Sequence, residues 1–124
     1  MVDHAHKVRI VEAYIAAFDN GDADAAANLF AEDAVVEDPV GTPVHRGKAA
    51  IRAFYANSMK TGAKLKLDAP VRGGAHYAAF AFTVTLNYAG GDKRIEVIDT
   101  FAFNEAGEVT EMRAFWGPDN MHGF

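Results

Sequence analysis

The sequence contains no cysteine, and this absence excludes several kinds of chemistry at once. Disulfides, thiolate nucleophiles and zinc–thiolate sites all require that residue. The chain also lacks a run of about 18 apolar residues, the length that spans a membrane as a helix. Its opening MVDHAHKVRI does not combine a cationic segment with an apolar one. We therefore expect a soluble, cytoplasmic protein that does not insert into membranes.

Basic clusters are also missing. The 12 lysines and arginines are scattered singly among 17 aspartates and glutamates, and the formal net charge is -5. Nucleic acids and anionic membrane surfaces are bound by basic stripes, so neither is an expected partner, and an uncharged or cationic ligand is favoured. A chain of 124 residues that is 50% hydrophobic can bury one core but not two. A single domain over residues 1–124 is predicted.

Apolar residues recur at helical spacing three times before residue 62. The first stripe predicts a helix over residues 5–20 that ends at an Asn-Gly pair. Asp22 is placed to cap a second helix through ADAAANLFAE, residues 23–32. The third stripe predicts a helix that ends at Gly62. The stripe residues are Val8, Val11, Tyr14, Ile15 and Phe18 in the first helix and Ile51, Phe54, Tyr55 and Met59 in the third.

After Gly62 the apolar period changes to two residues, which is typical of strands with one buried face. One such strand runs from Leu65 to Val71, another covers residues 80–86, and a third lies in KRIEVIDTFAFNE. Glycine-containing turns at residues 73–74, 90–92 and 105–107 separate these strands. Helices followed by strands with tight turns predict an α+β fold, an antiparallel sheet with helices on one face.

Three polar side chains are predicted to face the core. Alternation places Asp99 on the same face as the bulky apolar residues of its strand, and from Ile95 to Phe103 no lysine or arginine shares the face. A buried Asp must be paired, metal-bound or protonated, because an isolated buried charge is too costly. Asp38 lies on the side of Val36 at a strand end, while Glu37 points to solvent. Tyr14 lies inside the first helical stripe.

The segments around these residues resemble the Δ5-3-ketosteroid isomerase family, in the same order and over nearly the whole chain. The segments are VEDPVG around Asp38, VIDTFAF around Asp99, IRAFYANS around Tyr55, MRAFWG around Trp116, and the helix that carries Tyr14. The resemblance implies a cone-shaped fold shared with nuclear transport factor two, scytalone dehydratase and polyketide cyclases. In that fold a curved antiparallel, partly mixed sheet and three N-terminal helices enclose an apolar pocket.

The resemblance also implies residue roles. Asp38 would be the base that moves a proton from carbon 4 to carbon 6 of a 3-oxo-Δ5-steroid, through a dienolate, to give the conjugated 3-oxo-Δ4-steroid. Tyr14 and a protonated Asp99 would donate hydrogen bonds to the oxygen on carbon 3. Tyr55 would bond the Tyr14 hydroxyl from behind. Position 30 is Phe, where some relatives carry tyrosine, so the hydroxyl network is expected to end at Tyr55.

The remaining expectations concern the pocket wall, ligands and assembly. No cofactor is expected, and the scattered histidines do not favour a metal site. The exposed side of the sheet, with Thr83 and Thr85, resembles the face through which the family dimerises, so a homodimer is expected. The predicted substrate-binding wall consists of Phe82, Val84, Leu86, Phe101, Met112, Ala114 and Trp116.

Each assignment has an alternative. An Asp before proline is a common turn former, an inward Asp such as Asp99 is most often held by backbone amides, and Tyr14 by itself would be an ordinary core tyrosine. Because one scaffold serves many reactions, two other functions also stay open. The protein could bind steroids or other hydrophobes without catalysis. It could also be a polyketide cyclase or dehydratase that uses Asp38 on a different enolisable substrate.

Overall fold

The computed structural model describes residues 2–124 and confirms the α+β class. The helices described are α1 (His4–Asp19), α2 (Ala23–Ala27) and α3 (Lys48–Met59), with a 3-10 turn at Pro118–Asn120. The strands are β1 (Phe30–Glu37), β2 (His45–Arg46), β3 (Lys64–Leu67), β4 (Arg72–Gly74), β5 (Tyr77–Tyr88), β6 (Gly91–Phe103), β7 (Val109–Phe115) and β8 (Met121–His122). Within these residues, no helix combines the length and the apolar character that crossing a bilayer requires.

Side-chain caps and left-handed residues set the helix ends. Asp3 caps α1 by accepting a hydrogen bond from the His6 N–H at 2.9 Å, and Asp22 caps α2 as predicted, accepting from Ala25 at 3.0 Å. The third helix, predicted to end at Gly62, ends earlier, at Met59, and Gly62 lies in the turn that follows with a left-handed φ of 74°.

The predicted extension of α2 through residue 32 is wrong. The helix ends at Ala27, and β1 begins at Phe30. Phe30 pairs with Val109 of β7 and is fully buried. The alanines and leucine of this segment favour a helix, but pairing in the sheet overrides that preference from Phe30 onward.

The sheet has the strand order β2-β1-β7-β6-β5-β3, with β4 added to β5 and β8 to β6. Strands β1 and β7 run parallel, and the other pairs are antiparallel, so the sheet is mixed. The long hairpin of β5 and β6 closes at Ala89 and Gly90, which have φ of 54° and 79°. Two left-handed residues give the turn a twist that matches the strands.

Two details of the predicted strands are wrong. The strand expected from Leu65 to Val71 ends at Leu67, because Pro70 has no N–H to donate to a neighbouring strand. The glycines expected to form a turn at residues 73–74 lie in β4 and pair with Ala78 and Tyr77. The turn falls instead on the next two residues, 75 and 76.

The core between the helices and one face of the sheet is rich in aromatic rings, and Tyr14 lies at its centre. Its ring makes edge contacts with Phe18, Tyr55, Phe80 and Phe101 at centroid distances of 5.4, 5.6, 6.1 and 5.3 Å. Edge-to-face contacts favour a defined ring orientation in addition to burying area. Rings from α1, α3, β5 and β6 therefore fix the direction of the Tyr14 side chain.

The start of α1 is anchored to the sheet by a buried lysine. Lys7 is only 4% exposed, and its Nζ donates a hydrogen bond of 2.7 Å to the carbonyl of Ala75. The Lys7 stem also lies against Gly73, where an added Cβ would be 3.3 Å from Lys7 Cδ. Tyr14 follows two helical turns later on the same side of α1. The anchor therefore fixes the helix that carries a predicted site residue.

We expect Lys7→Ala to lower the free energy of unfolding by about 2 kcal/mol, because it removes a charged hydrogen bond and a packed aliphatic stem. Urea denaturation would measure the loss. The matched control is Arg9→Ala, which removes the same charge from an exposed position of α1 and should change stability by less than about 0.5 kcal/mol. Equal losses of unfolding free energy in the two variants would contradict the role of Lys7 as an anchor.

Candidate active site

A cavity of about 250 Å³ lies between α1, α3 and the sheet. Tyr14, Asp38, Asp99 and Tyr55 all line it, so the structure brings together the polar residues that the sequence singled out. A second cavity of about 640 Å³ lies near the β5–β6 turn, but its lining is mostly polar or charged and includes none of these four residues. The smaller, apolar cavity is therefore the candidate site.

The predicted apolar wall is correct for some residues and not for others. Phe82, Val84, Leu86 and Trp116 line the cavity. Three other residues predicted there lie in the core outside the lining and are fully buried: Phe101, Met112 and Ala114. Phe101 instead packs against the Tyr14 ring. Alternation along a strand predicted that these side chains point inward. It could not predict which of them would be covered by other side chains and so lie outside the cavity lining.

Asp99 lies in the middle of β6, between Phe80 of β5 and Ala114 of β7. It is 1% exposed, and neither carboxyl oxygen has a hydrogen-bond partner of standard geometry among residues 2–124. Burial raises the pKa of Asp99 well above its usual range, and the nearby charge of Asp38 raises it further, whereas the Tyr14 hydroxyl acts in the opposite direction. The environment therefore favours the protonated acid, which can donate a hydrogen bond.

The two tyrosines of the site also keep their protons. Burial raises the pKa of Tyr14 well above its usual value, with further increases from Tyr55, Asp99 and Asp38. Burial raises the pKa of Tyr55 in the same way. The Tyr55 hydroxyl, like the Asp99 carboxyl, has no hydrogen-bond partner of standard geometry in the described part of the chain. The deep end of the cavity thus presents protonated groups that can bond an oxygen atom of a ligand.

Asp38 follows β1 at the edge of the cavity and is only partly buried. Its Oδ1 accepts a hydrogen bond of 2.8 Å from Trp116 Nε1. Burial raises the pKa of Asp38, while the Trp116 hydrogen bond and the positive charge of His45 lower it. This balance differs from that at Asp99, where no hydrogen bond from an N–H group stabilises the charged form. Asp38 is therefore the better candidate for an ionised carboxylate.

The neighbouring carboxylate, Glu37, faces away from the cavity. Glu37 was expected to be a solvated surface residue, but it forms an ion pair with Arg113 at 3.1 Å and accepts a hydrogen bond from the Gly41 N–H at 3.0 Å. The Gly41 N–H and then Arg113 lower the pKa of Glu37. These contacts hold Glu37 on the side of the strand opposite to Asp38.

Sequence reasoning missed the role of Trp116 as a donor and half of the cavity lining. A buried indole N–H needs an acceptor, and this signal could have linked Trp116 to a carboxylate. Phe54, Ser58 and Thr61 follow one another at about one helical turn, which also could have been recognised. The missed lining residues are Phe18, Phe54, Ser58, Thr61, Ala63, Leu65, Ile95 and Val97. Within residues 2–124, no three His, Asp or Glu side chains form a group that could hold a metal ion.

Comparison with known proteins agrees with the fold. Residues 11–112 match the SnoaL-like domain family. The chain is 42% identical over 112 residues to a steroid Δ-isomerase of Nocardioides simplex, and the alignment covers 90% of this chain and 89% of that protein.

A solved structure with a similar fold is that of SalBIII, an epoxide hydrolase/cyclase-like enzyme described for its role in pyran ring formation in polyether salinomycin. It superposes with a TM-score of 0.89 at 27% identity, over 98% of each chain. The predicted cone-shaped fold of nuclear transport factor two is thereby confirmed. With a SnoaL-like domain and extensive identity to a steroid Δ-isomerase, the chain belongs to the ketosteroid isomerase family.

Proposed function

We propose that this protein is a steroid Δ-isomerase that converts 3-oxo-Δ5-steroids into conjugated 3-oxo-Δ4-steroids without a cofactor. The observation that carries the proposal is the pair of carboxyl groups on one apolar cavity in opposite environments. Asp99 is buried without a cationic partner, and Asp38 lies at the edge with a hydrogen bond from Trp116. The relative that is named a steroid Δ-isomerase supports the substrate class.

In the first step, the ionised Asp38 takes a proton from carbon 4, between the ketone and the C5–C6 double bond. The electron pair of the broken C–H bond moves toward the ketone, and a dienolate forms with negative charge on the oxygen of carbon 3. A general base must be ionised and within reach of the proton that it removes. The Trp116 hydrogen bond fixes the direction of the carboxylate at the cavity edge.

The charge on the oxygen of carbon 3 is stabilised by the Tyr14 hydroxyl and by protonated Asp99. Both donors lie in the deep end of the cavity, and Tyr14 is 2% exposed. Donors that are already oriented in a dry site stabilise developing charge without reorganisation. The four aromatic contacts of Tyr14 provide this orientation, and Tyr55 packs directly behind it.

In the second step, Asp38 returns the same proton to carbon 6. The double bond then lies between carbons 4 and 5, conjugated with the ketone, and Asp38 is ionised again. The reaction neither oxidises nor reduces the substrate and transfers no group. It therefore requires only a base and hydrogen-bond donors, and the chain's own side chains supply both.

The cavity wall suits an elongated apolar substrate. Beyond Asp99, the inward residues of β6 are Val97 and Ile95, which pair with Phe82 and Val84 of β5. At about 3.3 Å per residue, this ladder extends about 13 Å from Asp99 to Ile95. That length is suited to a fused four-ring nucleus whose ketone lies at the deep end.

The likeness to SalBIII favours a second candidate, a cyclase or dehydratase that acts on a polyketide-type substrate. Such an enzyme could use Asp38 in proton transfer. The hydroxyls of Ser58 and Thr61 on the wall donate to the backbone carbonyls of Phe54 and Ser58, and their oxygens could accept hydrogen bonds from substrate hydroxyls. A binding protein without catalysis is the third possibility. Steady growth of ultraviolet absorption from the conjugated enone, with a 3-oxo-Δ5-steroid as substrate, would support the isomerase over both.

We expect Asp38→Asn to lower isomerase turnover by several orders of magnitude, because the amide keeps the shape of the side chain and cannot accept the proton. Steroid affinity, measured by fluorescence or calorimetric titration, should be nearly unchanged. Glu37→Gln is the matched control, since it removes the adjacent carboxylate that faces away from the cavity, and its turnover should stay within about threefold of the wild type. A loss below about tenfold in Asp38→Asn would contradict its assignment as the base.

Asp99 is expected to act as a neutral donor, so Asp99→Asn should lower turnover less than Asp99→Leu. A lost oxyanion donor costs about 2.7–4 kcal/mol of transition-state stabilisation, and an amide retains part of it. Melting temperature should not fall in proportion, because the buried carboxyl makes no hydrogen bond of standard geometry that holds the fold together. If turnover were equal in the two variants, or simply followed the melting temperature, Asp99 would have a structural role instead.

We further propose that the outer face of the sheet forms a two-fold symmetric homodimer. Ile98 and Phe115 are neighbours across β6 and β7 and are 49% and 43% exposed. Exposed apolar side chains that adjoin on an open sheet face are typical of interfaces. Thr83, predicted for this face, lies on the same side of the sheet and accordingly not in the cavity lining.

For this interface we expect Ile98→Glu to convert the dimer into a monomer at micromolar concentration, because association would bury an unpaired charge on each copy. Analytical ultracentrifugation measures the change. A wild-type chain that sediments only as a monomer would contradict the dimer itself.

A further inference from the structure

Two hydroxyl groups on the cavity wall have no role in the proposed proton transfer. Ser58 lies in the last turn of α3 and Thr61 in the turn that follows, and both line the cavity. The Ser58 hydroxyl donates to the carbonyl of Phe54 at 3.0 Å, and the Thr61 hydroxyl donates to the carbonyl of Ser58 at 2.8 Å. A hydroxyl has one proton and two lone pairs, so both oxygens can still accept a hydrogen bond while these backbone bonds stay in place. Toward a ligand, the two groups therefore act as acceptors.

The course of the chain places these hydroxyls away from the deep end of the cavity. Tyr55 lies at the deep end, where its ring packs against that of the proposed donor on α1. Thr61 follows Tyr55 by six residues, which corresponds to about 9 Å along a helix. Leu65 then joins the sheet in register with Ile95 across β5, at the far end of the apolar ladder. Thr61 therefore lies toward the far end, and Ser58 lies about one turn before it.

Within residues 2–124, the far part of the cavity has no free side-chain donor. No lysine, arginine or histidine of the described chain lines the cavity, and the Trp116 N–H is bonded to Asp38. Ser58 and Thr61 also lie at the carboxyl end of α3, where carbonyl groups without helical partners carry partial negative charge. A ligand group that donates a hydrogen bond is therefore favoured here over one that only accepts. The rest of the wall in this part is apolar and consists of Ala63, Leu65, Val84, Leu86 and Ile95.

We propose that Ser58 and Thr61 are specificity residues that select 3-oxo-Δ5-steroids with a hydroxyl group, rather than a ketone, on carbon 17. A hydroxyl at this end of the nucleus can donate to either side-chain oxygen. A ketone there would place one acceptor against another, or a wall hydroxyl would have to leave its backbone carbonyl. This assignment rests on the proposed function, because the ketone on carbon 3 at the deep end sets the direction of the substrate. It goes beyond that function by naming the substituent that the far end recognises.

The test measures affinities for two 3-oxo-Δ4-steroids, the products of the proposed reaction, which differ only in a hydroxyl or a ketone on carbon 17. Calorimetric titration gives the ratio of the two affinities in each variant, and comparing ratios cancels the different hydration of the two compounds. We expect the preference for the hydroxyl compound to fall about fivefold in Ser58→Ala/Thr61→Val, the effect of one net hydrogen bond between neutral groups. Thr61→Ser retains the hydroxyl group and should keep the wild-type ratio.

Thr110→Val is the matched control for the lost hydroxyl. The Thr110 hydroxyl also donates to a backbone carbonyl, that of Ala102 at 3.2 Å, but Thr110 does not line the cavity. Its ratio of affinities should match the wild type. A general loosening of the site would weaken both ligands alike and leave the ratio unchanged, so a merely structural role of the two hydroxyls would not produce the expected result.

The readout does not require turnover, so its outcome is separate from that of the isomerase assay. If the hydroxyl preference depended on Ser58 and Thr61 but no 3-oxo-Δ5-steroid were isomerised, the proposed function would fail and recognition of the hydroxyl group would stand. If isomerisation occurred but the ratio were the same in the wild type and the double variant, this assignment would be overturned. Absence of binding of both compounds would overturn the assignment and the proposed function together.

Discussion

The cost of burying a charge in an apolar core is the constraint on which the site depends. Asp99 lies within the sheet between residues of two neighbouring strands, and no cation of the described part of the chain lies beside it, so the core favours the form of the carboxyl that carries a proton. A neutral acid in this place can donate where an ionised one could only accept. The same cost acts on Asp38 to a smaller degree, and there an indole N–H opposes it.

Aromatic packing holds the polar groups of the site in fixed positions. Tyr14 is surrounded by rings from α1, α3, β5 and β6, so its hydroxyl is held in the part of the cavity that Asp99 also reaches. The anchor at Lys7 holds the start of the same helix on the sheet. The parts of the core that stabilise the fold are therefore also the parts that orient the proposed donors, and substitutions in them are expected to alter stability and the proposed activity together.

The sequence could predict the inward direction of Tyr14, Asp38 and Asp99, because periods of 3.6 and 2 residues determine which side a residue faces. It could not predict that Phe101 and Met112 are covered by other side chains, since cover depends on how layers pack and not on alternation. The end of α2 was missed for a related reason: the partner that draws Phe30 into the sheet, Val109, lies far along the chain. The hydrogen bond between Trp116 and Asp38 likewise joins residues 78 positions apart.

That separation has a consequence for how the protein acquires its site. Strands β1 and β7 run parallel, so both end at the same edge of the sheet, and the residues just after them, Asp38 and Trp116, meet there. Contacts between distant parts of a chain require a large loop to close, and such contacts form slowly. During synthesis on the ribosome, a chain that has not yet added β7 can hold Tyr14 and the helices but cannot give Asp38 its indole partner. The proposed base is thus completed only after the chain has extended through β7 to Trp116, 78 positions beyond Asp38.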